Sequence, residues 1–244
     1  MGSELLESFN PASGESLGTV PRGTPEDVAR AVERASEAYT TWRLVPAPKR
    51  AEVLYRFAAL LTERKQELTE LMSREMGKVL AEAGGDVQEA IDMSLYMAGE
   101  GRRLFGQTTP SELPDKFMMS VRQPIGVVGA ITPWNFPIAI PAWKLAPALV
   151  CGNTVVLKPA EDTPLLAQRF VELLGDAGLP DGVVNIVHGY GEDVGEALVA
   201  HPDVRVISFT GSRDTGIRVT KVAADNLKHV HLELGGKNAI IVMD

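Results

Sequence analysis

Two hydrophobic rhythms divide the chain. Ahead of residue 107 apolar side chains recur every three or four positions: Leu54, Phe57, Leu61, Leu68, Leu71 and Met72 mark a helix opening near Pro48, and Val87, Ile91, Leu95 and Ala98 mark another. Thr24-Pro25-Glu26-Asp27 supplies a capping hydroxyl, a proline at the first helical position and acids in the first turn, so a further helix is predicted from Pro25. From Gly126 the rhythm changes to short β-branched runs at 127–131, 154–157, 183–187, 204–209 and 230–232, which predict five strands with four helices between them. Strands that are apolar throughout are buried on both faces, and connections of this length are crossovers. The fold class is therefore α/β, a doubly wound parallel sheet with right-handed connections, preceded by a helical section expected to pack on it.

Between residues 108 and 123 the helical period lapses and two prolines intervene; Phe117 to Val121 is predicted to be extended. Two uses fit this excursion: an edge strand pairing with a second subunit, or a surface hairpin within one chain. At the far end, Ile240, Ile241 and Val242 are expected to begin another strand with an exposed apolar edge.

Charge and composition narrow the classes of function. The 244 residues carry a formal net charge of -8, with 24 basic side chains scattered along the chain, which disfavours a nucleic-acid partner. No apolar run is long enough to cross a bilayer, and no membrane partner is expected. The single cysteine, Cys151, excludes an internal disulfide, and the first residues lack the order of a secretory signal, so the cytoplasm is the expected compartment. No metal site is expected.

In an open parallel sheet ligands bind beyond the carboxyl ends of the strands, so the residues following each run carry the candidate chemistry. After the first come Thr132-Pro133-Trp134-Asn135-Phe136-Pro137, where two prolines stiffen the backbone around an amide that either donates to an oxyanion or closes a rigid turn. After the second, Lys158-Pro159-Ala160-Glu161 places a cation and a carboxylate one turn apart, suited to the hydroxyls of a ribose or equally to a surface ion pair; Thr163-Pro164 then reads as a capped helix start. Gly189-Tyr190-Gly191 with Gly195 approaches the spacing of a dinucleotide fingerprint without matching it, and a tight loop is the safer description.

Phe209-Thr210-Gly211-Ser212, running into Thr215-Gly216, places small residues and a hydroxyl at a helix start, where free N–H groups favour an anion such as a pyrophosphate; an ordinary serine cap is the alternative. Glu233-Leu234-Gly235-Gly236-Lys237 brings a carboxylate, a candidate general base, to the crevice. It is not a nucleotidase phosphate loop, because His231 stands where that motif needs its first glycine. The short-chain dehydrogenase class is set aside, since none of Tyr39, Tyr55, Tyr96 and Tyr190 has Lys four positions later.

In this order and at these separations, Pro133-Trp134-Asn135-Phe136-Pro137, Lys158-Pro159-Ala160-Glu161, Phe209-Thr210-Gly211-Ser212 and Glu233-Leu234-Gly235-Gly236-Lys237 together resemble the aldehyde dehydrogenase superfamily. The likeness extends from Phe9-Asn10-Pro11-Ala12-Ser13-Gly14-Glu15 through Glu75-Met76-Gly77-Lys78 to Asn238. It implies oxidation of an aldehyde to a carboxylic acid with NAD, or less readily NADP. Asn135 would be the oxyanion donor and Glu233 the general base, while Lys158 and Glu161 would hold the adenosine ribose and Gly211 and Ser212 would face the pyrophosphate. The implied cofactor contacts are completed by Ile131, Thr132, Pro133, Trp134, Ala160, Gly191, Gly195, Phe209, Thr210, Thr215, Gly216, Leu234 and Gly235.

By the same resemblance residues 1–107 are the helical part of the cofactor domain, 108–123 a candidate oligomerisation strand, 124–236 the NAD-binding core and 237–244 the start of a substrate domain otherwise missing. The family's cysteine nucleophile would lie a few dozen residues beyond Asp244. Cys151, in the turn entering the second strand, is expected to be structural. The alternatives to an enzyme are a nucleotide-binding module without its own nucleophile and a structural partner of a full-length relative. A homo-oligomer is a further implied partner.

Overall fold

The computed structural model describes residues 4–243; the outermost ends of the first and last expected segments, 1–3 and 244, lie outside them. The chain opens with a hairpin that the helical reading of this region lacks: β1 (Leu5–Phe9) pairs antiparallel with β2 (Ser16–Pro21). Leu6 and Ser8 point inward while their neighbours are exposed, an alternation too short to stand out beside long helices. The helix predicted from Pro25 is α1 (Pro25–Trp42), closed by a capping box between Thr24 and Asp27. The long helix expected from Pro48 is two, α2 (Ala47–Glu63) and α3 (Lys65–Met76). Arg64 leaves helical geometry between them, yet Leu54, Phe57, Leu61, Leu68 and Met72 remain one buried stripe. In α4 (Leu80–Glu100) Val87, Ile91 and Ala98 are buried, but Leu95 is exposed, contrary to its assignment to the inner face.

The excursion forms β3 (Thr108–Pro110) and β4 (Phe117–Met119), which pair antiparallel with each other at the surface. The sheet follows as β5 (Val127–Ile131), α5 (Ala139–Val150), β6 (Thr154–Lys158), α6 (Pro164–Asp176), β7 (Val184–Ile186), a π-helical turn (Gly191–Gly195) continuing into α7 (Glu196–Ala200), β8 (Val204–Gly211), α8 (Arg213–Ala224) and β9 (His229–Leu234). All five strands are parallel, in the order β7-β6-β5-β8-β9. Strand ends differ from the predicted runs by one or two residues, the usual uncertainty of such boundaries. No strand forms over Ile240–Val242: residues 235–243 carry no regular element and these side chains are exposed. A strand needs a neighbour to bond its backbone, and the paired run ends at Leu234, before Gly235-Gly236.

The pleat divides the core. Val128 and Ala130 of β5 face a cluster built with α2 to α6, whereas Val127 and Ile131 face a second cluster built with α1, α7 and α8. From β5 the chain winds outward through β6 and β7, then returns to lay β8 on the other side of β5. The connections diverge between β5 and β8, and a crevice opens beyond their carboxyl ends.

One helix start departs from the sequence reading. Thr163 occupies the N-cap of α6 but its hydroxyl makes no cap hydrogen bond. Glu75 of α3 supplies the cap instead: its carboxylate accepts from Leu165 N at 2.8 Å, Leu166 N at 2.9 Å and the Ser8 hydroxyl at 2.8 Å. Burial raises the Glu75 carboxyl above its ordinary value, and these three donors oppose that shift.

Candidate functional site

Two cavities meet at the switch point. The larger, about 900 Å³, lies beyond the ends of β5, β8 and β9 and is lined by Pro133, Trp134, Asn135, Phe136, Ile140, Trp143, Lys144, Ser208, Thr210, Gly211, Ser212, His231, Glu233, Leu234 and Gly235. Pleat and helix period explain this lining: Ser208 and Thr210 alternate on β8, His231 and Glu233 on β9, and Ile140, Trp143 and Lys144 share a face of α5. Phe136 and Trp143 stack at 6.2 Å between centroids, forming an apolar wall. Asn135 is exposed to the cleft, and among the described residues no hydrogen bond engages its amide side chain.

Lys144 is the charged group that the sequence reading missed. Its ammonium donates to the Ser208 hydroxyl at 3.1 Å, and burial pushes its pKa down to about 8, opposed by the nearby Glu233 carboxylate. A cation near a carboxylate thus lines the same cleft as the free amide of Asn135.

The smaller cavity, about 220 Å³, is a slot between α7 and α8. Ile131, Val199, Phe209, Val219 and Val222 make its walls mainly apolar, while Gly191, Gly195 and Thr215 thin it. At its mouth Arg218 pairs with Glu196 at 2.5 Å. The glycine segment expected to be a tight loop is a π-helical turn, a conformation that recurs at functional sites. Gly191 and Gly195 are the two positions where it borders the slot.

Slot and cleft share the junction of β8 and α8: Phe209 and Thr215 face the slot, and Thr210, Gly211 and Ser212 face the cleft. Ser212 caps α8, its hydroxyl lying 3.3 Å from Thr215 N and 2.8 Å from the Thr215 hydroxyl. The remaining N–H groups of the first turn point out of the helix, where an anion is favoured.

The other sequence candidates sit around these cavities. Lys158, in register with Ile131 on the neighbouring strand, has a buried side chain whose ammonium lies 3.0 Å from the half-exposed carboxylate of Glu161. Thr132 is buried and its N–H donates to Lys158 O at 3.1 Å; Ala160 is buried beside them. None of these four lines either cavity. Gly216 also lines neither: a Cβ there would come within 2.8 Å of Leu234, so this glycine lets α8 close on β9. Cys151 caps the carboxyl end of α5, at the amino end of β6 and opposite the crevice. Burial holds its thiol up, against Arg50 and Arg122, which leaves it a poor nucleophile.

The sequence model of the aldehyde dehydrogenase family matches residues 1–244. The chain belongs to that family. It is 48% identical over 234 residues to malonate-semialdehyde dehydrogenase 1 of Geobacillus thermodenitrificans, covering 96% of this chain and 48% of that protein. Among solved structures, an NADP-dependent enzyme of E. coli superposes with a TM-score of 0.94 at 42% identity, over 96% of this chain and 48% of the other. Betaine aldehyde dehydrogenase from Staphylococcus aureus in complex with NAD+ does so with a TM-score of 0.94 at 36% identity, over 98% and 48%. The chain therefore spans about half the length of the relatives it matches, and its five-stranded parallel sheet is the family's cofactor-binding fold.

Proposed function

We propose that this chain binds NAD across the slot and the cleft and forms the cofactor half of an enzyme oxidising an aldehyde to a carboxylic acid. The observation that carries this reading is the meeting of a mainly apolar slot and a larger cleft carrying polar groups at a helix N-terminus, on the switch point of a parallel sheet. The slot suits a planar base, and the α8 start a pyrophosphate. Lys158 and Glu161, one strand over, suit the ribose hydroxyls, and the cleft suits the nicotinamide and the aldehyde. Thr132, Ala160 and Gly216 would support these contacts from behind. When bound, the dinucleotide supplies the hydride acceptor.

The chain's own groups then have distinct tasks. As a nucleophile from outside the described cleft residues adds to the aldehyde carbon, the Asn135 amide donates to the oxygen that takes up the carbonyl electron pair. Glu233 accepts a proton from the water that later displaces that nucleophile from the acyl carbon and releases the acid. The free carboxylate oxygen of Glu161 accepts from a ribose hydroxyl and repels a phosphate in the same place, so NAD is preferred to NADP. Semialdehydes are the proposed substrate class, following the malonate-semialdehyde dehydrogenase among the relatives. The proposed compartment is the cytoplasm, where the free thiol of Cys151 stays reduced.

The position of Cys151, away from the cleft, also favours a second reading for the chain by itself: a nucleotide-binding module without turnover. Melting the purified chain without ligand, with NAD and with NADP tests the shared part of both readings, because a ligand of the folded state raises the transition. The expected outcome is a rise with NAD that exceeds the rise with NADP. No shift with either overturns both, and aldehyde-dependent formation of NADH by the chain excludes the second.

A further inference from the structure

Lys78 and Asp86 form an ion pair at 3.0 Å with side chains only 6% and 0% exposed. Neither lines the cleft, yet both hold the turn that carries Asn135. Lys78 Nζ donates to the backbone oxygen of Asn135 at 2.7 Å and stands 3.9 Å from the centre of the Phe136 ring. Asp86 takes the third contact of that ammonium through Oδ2, while its Oδ1 accepts from Ala139 N at 2.8 Å. Ala139 begins α5, where Ile138 offers no side-chain cap. Carboxylate, carbonyl and ring face thus surround the three N–H donors of one lysine.

Burying two charges is costly, and capping a helix does not require it; a Ser or Asp at position 138 would suffice. The ammonium adds a grip on the carbonyl of Asn135 itself. Pro133 and Pro137 fix φ on either side, so with that carbonyl held, the remaining freedom of Asn135 lies mainly in its own side-chain torsions.

We propose that Lys78 and Asp86 are positioning residues for Asn135, clamping the backbone of residues 134–137 so that its amide is aimed into the cleft before substrate arrives. The inference rests on the reading of the cleft as the aldehyde site. Preorganised donors are the ones that stabilise developing charge without a reorganisation cost, and a donor on an unclamped turn loses that advantage. The signal is absent from local sequence, because Lys78, Asp86 and Asn135 meet only in the fold.

The test is spectroscopic and uses this chain. Selective ¹⁵N-asparagine labelling gives six side-chain amide pairs, and that of Asn135 is assigned by its loss in Asn135→Ala. In Lys78→Met the Asn135 pair is expected to broaden or to move from its wild-type position. The pairs of the buried Asn153 and Asn185 stay in place, and Lys78→Arg restores the Asn135 pair. An Asn135 pair unmoved in Lys78→Met overturns the proposal. If Lys78→Met does not fold, Asp86→Asn decides: displacement of the Asn135 pair with Asn153 and Asn185 intact supports the clamp, and no displacement overturns it. Addition of NAD to the wild type separates the underlying reading, which fails if NAD leaves all six pairs unmoved even where the dependence on Lys78 holds.

Discussion

Ser212 joins the helix cap to the candidate anion site. Replacing it with Ala removes the acceptor for Thr215 N, which should destabilise the chain by about 1 kcal/mol in a urea melt. His188 carries the clearest pH dependence. Its ring is 6% exposed with Nδ1 unpartnered among the described residues, and burial, with the Lys158 cation behind it, pushes its pKa to about 4 from 6.5. Between those values the unfolded chain binds the proton that the folded chain refuses, so stability rises with pH across the window and is lost as pH falls through it. At pH 5 the difference is on the order of 2 kcal/mol. Urea melts at pH 7 and pH 5 should show it, and His188→Gln should flatten it; equal slopes in the two proteins contradict the assignment. The raised carboxyls of Glu75 and Asp86 act in the opposite sense, which is why the comparison is with the variant.

Among the elements, α6 depends on a cap that comes from another helix. Glu75→Ala strips Leu165 N, Leu166 N and Ser8 of their acceptor and should cost on the order of 3 kcal/mol, measured by chemical denaturation. A loss below about 1 kcal/mol, the worth of one ordinary hydrogen bond, contradicts this account of α6. The strands and α1 were legible in sequence because each announces itself locally, by a β-branched run or by Thr24 and its acids. The cap of α6 was not, because Thr163 looks sufficient until Glu75, far away in the chain, is seen to hold the N–H groups. The opening hairpin escaped because two inward residues on β1 make too short an alternation. In the candidate site, the strand-end residues were found by rule. Lys144 was missed because it extends a helix face that only the fold brings to the lining of the cleft.

Over the whole molecule, apolar side chains gather on the β3–β4 hairpin, where Leu113, Phe117, Met118, Met119 and Val121 are exposed. A patch of this kind favours association, so sedimentation of the purified chain should show a concentration-dependent species heavier than 26.3 kDa. Phe117→Glu together with Met119→Glu should abolish it. A monodisperse monomer at all concentrations removes the hairpin from consideration as an interface. None of these hairpin residues lines the slot or the cleft proposed to hold the cofactor.

The most direct measurement is a calorimetric titration of NAD into the chain and into Val222→Trp, which fills the apolar slot from a partly exposed position on α8. If the dinucleotide lies across slot and cleft, the wild type binds one equivalent, and the variant, melting within a few degrees of it, loses at least tenfold in affinity. No binding by the wild type, or equal binding by both, contradicts the assignment of this crevice.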